Sequence, residues 1–131
     1  MNTAGSVLLD TSVVIAYLRG DKALSPRFAQ VGTLHIPWVV LGELHYGAQR
    51  ALRPEEAVAR VRAFLRSATL LLPDESTAEH YGQLKAELAG LGTRIPDNDL
   101  WVAAVARQYD LPVGTRDAHF SLVPRLKTLA W

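Results

Sequence analysis

The sequence predicts an α/β fold, a parallel sheet of four to five strands flanked by helices, in one domain spanning residues 1–131. Short apolar runs of strand length alternate with longer helical patterns, the spacing that crossover connections in a parallel sheet require. The segment from Leu100 to Tyr109 is almost wholly apolar, which marks a buried helix. A hydrophobic share of 49% against 21% charged residues is also enough to bury a core at this length.

Each element has its own signal. Ser6-Val7-Leu8-Leu9 is a strand-length apolar run ending at Asp10, and Val13, Val14, Ala16, Tyr17 and Leu18 continue in helical phase to Gly20. Ser25-Pro26 predicts a capped short helix through Gln30, and Thr33 to Ile36 a second strand stopped by Pro37. A helix is expected from about Trp38 to Leu52. Pro54-Glu55-Glu56 opens the next, with acids in its first turn and Val58, Val61, Phe64 and Leu65 on one face up to Arg66. Thr69 to Leu72 reads as a third strand. Asp74 or Ser76 caps a helix carrying Tyr81, Leu84 and Leu88 and ended by Gly90 and Gly92. A loop over Thr93 to Asn98 precedes the buried helix. Leu111 to Thr115 is a further strand, then a polar turn and a last apolar run to Trp131.

Composition excludes several classes. The 14 Lys and Arg against 13 Asp and Glu give a net charge of +1, which argues neither for nor against a polyanionic partner. The absence of cysteine removes disulfides, thiolate metal sites and Cys nucleophiles, and fits a reducing cytoplasm. The longest uncharged stretch, Phe28 to Gly42, is 15 residues and interrupted, short of the roughly 20 apolar residues of a membrane span. Met1 to Leu9 lacks the pattern of a secretion signal, so a cytoplasmic protein is expected.

Ligands of open parallel sheets bind beyond the carboxyl ends of the strands, so an acid directly after an apolar strand stands at the functional edge. Asp10 and Asp117 both meet this condition, with Thr11, Ser12 and Thr115 beside them as hydroxyls able to orient a carboxylate. Asp74 meets it too but reads as a cap. Glu43 is flanked at helical spacing by Val39, Val40, Tyr46 and Gly47, a stripe with no other charge. An acid there is at least partly buried and implies a cation or metal beside it unless the helix rotates that stripe to solvent. Asp99 opens the buried helix, while Asp97 and Asn98 compete for its cap. Two residues along a helix differ by about 200° in direction, so Asp97 and Asp99 should not share a site. Taken singly, each acid reads as a cap or a solvated charge. Jointly, four carboxylates that a parallel sheet can gather form a hard-oxygen set suited to Mg²⁺ or Mn²⁺, and hence to phosphoryl chemistry.

The sequence resembles the PIN-domain ribonucleases, and among them the VapC toxins of toxin-antitoxin pairs. The resemblance rests on Val7-Leu8-Leu9-Asp10-Thr11-Ser12, on Gly42-Glu43-Leu44 with Gly47, on Ile95-Pro96-Asp97-Asn98-Asp99-Leu100-Trp101-Val102-Ala103-Ala104, and on Thr115-Arg116-Asp117 with His119-Phe120. It implies a PIN-like fold in which Asp10, Glu43, Asp99 and Asp117 bind one or two divalent ions and Thr115 supports the cluster. Asp97 is an extra acid in a segment that varies in the family, so Asp99 is the third ligand by motif. The implied activity is metal-dependent cleavage of RNA phosphodiester bonds, one ion activating a water and a second stabilising the leaving oxygen. The implied partners are an RNA substrate, a small cognate antitoxin protein and a second copy of the chain in a homodimer.

Arg50, Arg53, Arg60, Arg62 and Arg66 lie within 17 residues against only Glu55 and Glu56, either a solvated helix face or a contact for RNA backbone. Arg50, Arg53, Arg116 and His119 are the candidate RNA contacts; His35, His45 and His80 read as structural. Trp38 and Trp101 flank two of the site acids and read as core. A phosphoacceptor receiver domain is the rival from another class, but it needs an acidic pair after the first strand and a late lysine, whereas Thr11 follows Asp10 and the only late lysine is Lys127. A haloacid-dehalogenase phosphatase would need an acid where Ser12 stands. A catalytically silent binding module with the same fold is the second rival.

Overall fold

A computed structural model describes residues 5–131; the first four residues, which the sequence analysis placed in the single domain, lie outside the described residues. The chain runs β1 (Ser6–Leu9), α1 (Thr11–Leu18), α2 (Leu24–Gln30), β2 (Thr33–Pro37), α3 (Trp38–Gln49), α4 (Pro54–Leu65), β3 (Thr69–Leu71), α5 (Glu75–Gly90), α6 (Asp97–Tyr109), β4 (Val113–Thr115), a 3₁₀ helix (Ala118–Leu122) and β5 (Thr128–Ala130). The strands form one sheet in the order β3-β2-β1-β4-β5. Every neighbouring pair is parallel, with Leu8 opposite both His35 and Val113, and Thr115 opposite Ala130.

This order decides where the site lies. From β1 the chain moves outward through β2 and β3, then returns to place β4 and β5 on the other side of β1. The connections therefore diverge at the carboxyl ends of β1 and β4, where a parallel sheet opens a crevice. Asp10 and Asp117 follow those two strands.

The core explains why β1 reads as a continuous apolar run. All four of its residues are buried, as is usual for a central parallel strand covered on both faces. Val7, Leu8, Leu9, Ile36 and Val113 are fully enclosed with Val13, Val14 and Val40 of the helices. Each contributes roughly 1.5–3 kcal/mol of transfer free energy. In α6, Leu100 and the unbroken run Val102–Ala106 are buried. The three alanines in that run let the helix approach its neighbours closely, and Asp110 ends it in the left-handed region at φ 53°.

Several boundaries differ from expectation. Helix α2 starts at Leu24 with Ala23 at its cap and no side-chain capping bond, so Ser25 lies inside the helix. Helix α3 stops at Gln49 with Arg50 as its cap rather than near Leu52, and Arg53, the residue before Pro54, adopts φ −124°, ψ 83°, outside the helical region. Helix α6 begins at Asp97, within the expected loop, and Pro96 rather than Asp97 or Asn98 is its cap. Strand β4 is confined to Val113–Thr115. Asp74 does cap α5, in a reciprocal capping box with Thr77.

Candidate active site

The site is built outward from Asp10. This residue ends β1 and caps α1, its Oδ1 accepting from the Val13 amide at 3.3 Å. Ser12 Oγ donates to the same oxygen at 2.7 Å, and Thr115 Oγ1, from the neighbouring strand β4, donates to Oδ2 at 2.6 Å. The carboxylate is buried, at 4% exposure, and has hydroxyls and an amide around it rather than a cation. Burial pushes its pKa above the ordinary value; the bonds from Thr115, Ser12 and Val13 pull it down, and the charge of Asp117 adds to the rise.

The hydroxyls link the acids to one another. Thr115 Oγ1 also accepts from the Asp117 amide at 2.8 Å, and Ser12 Oγ accepts from the Arg116 amide at 3.1 Å. The turn carrying Asp117 is thus tied to the same two groups that hold Asp10. Across the crevice, Thr11 Oγ1 donates to Glu43 Oε1 at 2.5 Å, which joins α1 to α3. Glu43 is half-buried, as its uncharged stripe predicts.

Asp99 stands in the first turn of α6 and Asp117 caps the 3₁₀ helix, its Oδ1 accepting from the His119 amide at 2.9 Å. His119 Nδ1 lies 3.1 Å from Asp99 Oδ2 and 3.0 Å from Asp117 Oδ1, bridging the two carboxylates. Asp99 has a raised pKa, mainly from burial; the bond from His119 lowers it, and Asp117 and Glu43 raise it by repulsion. The four acids therefore converge: Asp117 acts electrostatically on both Asp10 and Asp99, and Glu43 acts on Asp99.

This arrangement fits a divalent cation. Among the described residues, no lysine or arginine pairs with Asp10, Glu43, Asp99 or Asp117, so their mutual repulsion is relieved only through His119. Asp99, Asp117 and His119 each present a ligand atom within 4.8 Å of the others. Hard carboxylate oxygens with unbalanced charge are the donor set that Mg²⁺ and Mn²⁺ take.

Other candidates are placed elsewhere. Asp97 turns away from the cluster: its Oδ1 accepts from the Tyr81 hydroxyl at 2.5 Å and pairs with Lys85 at 3.7 Å. Arg116 is committed as well, to Asp21 Oδ2 at 2.7 Å and to the main-chain oxygen of Trp131 at 2.9 Å. Arg53 pairs with Glu56 at 3.6 Å in solvent, while Arg50 lies over the exposed Tyr46 ring, 5.2 Å from its centroid. Trp38 and Trp101 pack on each other edge to face, with Tyr81 stacked on Trp101 at 3.8 Å. Sequence analysis passed over Asp21, which fixes Arg116, because no local pattern ties an acid after α1 to a basic residue 95 positions later.

A cluster of carboxylates at the switch point of a parallel sheet could hold a divalent metal ion, as the sites of metal-assisted phosphoryl hydrolases do. The chain belongs to the PIN-domain family, whose model matches residues 7–126. It is 34% identical over 127 residues to Ribonuclease VapC2 of Haemophilus influenzae, covering 95% of this chain and 96% of that one. It is 33% identical, with the same coverage, to the tRNA(fMet)-specific endonuclease VapC of Shigella flexneri. Among solved structures, a DNA-bound VapBC complex from Salmonella typhimurium superposes with a TM-score of 0.89 at 31% identity, covering 95% of this chain and 96% of the other.

Proposed function

We propose that this protein is the toxin of a toxin-antitoxin pair, an endoribonuclease that hydrolyses RNA phosphodiester bonds at the cluster of Asp10, Glu43, Asp99 and Asp117. The observation that carries the assignment is the convergence of these four acids, without a lysine or arginine among their partners in the described residues, at the β1/β4 crevice. Relatives of matching length bear ribonuclease and endonuclease names, and similar structures are VapBC complexes. A receiver domain finds no support in any of these likenesses.

Each residue has a distinct task. Asp10 provides a carboxylate whose two oxygens are aimed by Thr115 and Ser12. Glu43 supplies a second from the opposite wall, held by Thr11. Asp99 and Asp117 complete the set, with His119 bridging them, and together these residues would hold a divalent cation. A bound Mg²⁺ or Mn²⁺ ion would supply the Lewis acidity that activates water and offsets charge on the phosphate. The rigid hydroxyl partners keep the acids in place, so little reorganisation is needed at the moment of reaction. The proposed site of action is the cytoplasm, and the proposed substrate there is RNA. A small antitoxin is the proposed inhibitor of a homodimeric toxin; an arginine from it, bidentate to these carboxylates, would block the site.

Purified protein incubated with total RNA, with and without Mg²⁺ or Mn²⁺, tests the activity. Asp99→Asn should abolish cleavage with an unchanged circular dichroism spectrum. Near-normal cleavage by that variant would refute the ligand assignment and direct attention to Asp97→Asn. Absence of cleavage by the wild type in either metal would leave the silent binding module as the better description. Sedimentation showing only monomer at micromolar concentration would reject the homodimer.

A further inference from the structure

The turn that carries Asp117 has little regular structure to hold it. It leaves β4 as a bend, and the amides of its first two residues both go to side-chain hydroxyls: Arg116 to Ser12 Oγ at 3.1 Å and Asp117 to Thr115 Oγ1 at 2.8 Å. Hydroxyls rotate about a single bond, so these two contacts alone let the turn pivot.

The Arg116 side chain supplies a further anchor. Its Nη2 pairs with Asp21 Oδ2 at 2.7 Å, and its Nε donates to the Trp131 main-chain oxygen at 2.9 Å. A planar guanidinium presents its donors in a rigid fork, so two acceptors fix its direction as well as its position. Both acceptors are themselves fixed. The Asp21 amide donates to the Ala16 oxygen at 3.0 Å, at the end of α1, and Asp21 Oδ1 accepts from the Ala23 amide at 2.9 Å. These bonds hold the Asp21 carboxyl below its ordinary pKa, the Ala23 amide contributing most and Arg116 next, so the acceptor stays charged. The Trp131 amide donates to the Thr115 oxygen at 3.2 Å, and its ring packs on Phe28 with 5.7 Å between centroids.

We propose that Arg116 is a positioning residue of the acid cluster, a brace that aims Asp117 and Asp10 by fixing the turn after β4 to both ends of α1. Its main chain grips Ser12, in the first turn of α1, and its side chain grips Asp21, just beyond the last turn. Asp10 caps that same helix and shares the Ser12 hydroxyl, so a tilt of α1 against β4 would move Asp10 and Asp117 apart. The inference rests on the ribonuclease reading and assigns Arg116 to the aim of the acids instead of to RNA. Side-chain exposures of 36% and 31% mean that the Arg116–Asp21 pair adds little to overall stability, so the effect of breaking it falls on the site.

The test uses the full chain. Mn²⁺ affinity is measured by titrating metal-stripped protein, and kcat and KM are measured on a fluorogenic single-stranded RNA oligonucleotide across a series of salt concentrations. Arg116→Ala and the isosteric Asp21→Asn should each weaken Mn²⁺ binding or lower kcat by about 10- to 100-fold, the usual loss when a group behind a metal ligand is removed. KM, the salt dependence and the melting temperature in chelator should stay near wild type. The double variant should be no worse than the more damaged single one, because both changes break one brace. Arg116→Lys should fall between wild type and Arg116→Ala, since an ammonium keeps the charge and loses the fork. A contact with RNA gives the opposite pattern: Arg116→Ala would raise KM and lower the slope of log kcat/KM against log salt by about 0.7, while Asp21→Asn would free the guanidinium and lower KM. That pattern, or wild-type kcat and Mn²⁺ affinity in Asp21→Asn, would overturn the proposal. If the wild type cleaves no RNA, the ribonuclease reading fails, and the Mn²⁺ titration of wild type against Asp21→Asn still decides whether the brace aims the acids.

Discussion

Replacing Thr115 by valine isolates the group on which the site geometry depends most. The substitution preserves shape at a buried position, so it opens no cavity, but it deletes two hydrogen bonds. One runs from Thr115 Oγ1 to Asp10 Oδ2 at 2.6 Å, and the other from the Asp117 amide to Thr115 Oγ1 at 2.8 Å. A bond to a charged acceptor contributes about 1.5–3 kcal/mol and a neutral one about 1 kcal/mol, so a loss of about 3 kcal/mol is expected at pH 7. For a chain of this size that lowers Tm by roughly 10 °C. The loss should also depend on pH, with a definite sign. Thr115 favours ionised Asp10, so its removal raises a pKa that burial has already raised. The deficit is then greatest where Asp10 is charged, and it shrinks toward about 2 kcal/mol, the value for two neutral bonds, as acid protonates it. Urea titrations of both proteins in chelator, at pH 7 and at pH 4, measure this directly. A deficit below about 0.5 kcal/mol at pH 7, or one that is the same at both pH values, would refute the reasoning.

Three further outcomes follow from the same physics. Asp117→Asn should melt higher than wild type in chelator and gain less from added Mg²⁺ or Mn²⁺, because it removes the charge that raises Asp10 and Asp99 while an amide oxygen can still accept from the His119 amide; a lower melt would make Asp117 a structural acid. His35 has a pKa lowered by burial, and its Nδ1 is enclosed without a partner among the described residues, so the folded state binds fewer protons than the unfolded chain just below the ordinary histidine value. Stability should fall as pH drops through that window, and His35→Leu should flatten the pH dependence of the urea midpoint between pH 7.5 and 5.5. Asp74→Ala should cost about 1–2 kcal/mol through the lost capping box, without slowing RNA cleavage; a large loss of activity would contradict its reading as a cap.

Much was legible in the sequence because it is written locally. The strand-acid-helix order at Leu9, Asp10 and Thr11 fixes both the end of β1 and the cap of α1, since one carboxylate does both. The unbroken apolar run of α6 announces a buried helix whatever surrounds it, and the uncharged stripe around Glu43 announces a half-buried acid. Tertiary structure decided which groups meet. Asp97 and Asp99 look alike in sequence, and what separates them is Tyr81 on α5, whose hydroxyl claims Asp97, and His119 near the end of the chain, which claims Asp99. Arg116 stands in a motif that points to RNA, yet Asp21 and the Trp131 carbonyl hold its guanidinium. Gly114 carries no local signal of its own; only the fold shows that a Cβ there would come within 3.2 Å of the Leu9 and Trp131 side chains, which would have to shift by a few tenths of an ångström. Periodicity and capping are properties of neighbours along the chain, so sequence determines them. Pairing across the β1/β4 crevice, and the meeting of Asp99 on α6 with His119 and Asp117 after β4, depend on strand order and helix packing, which no local pattern encodes.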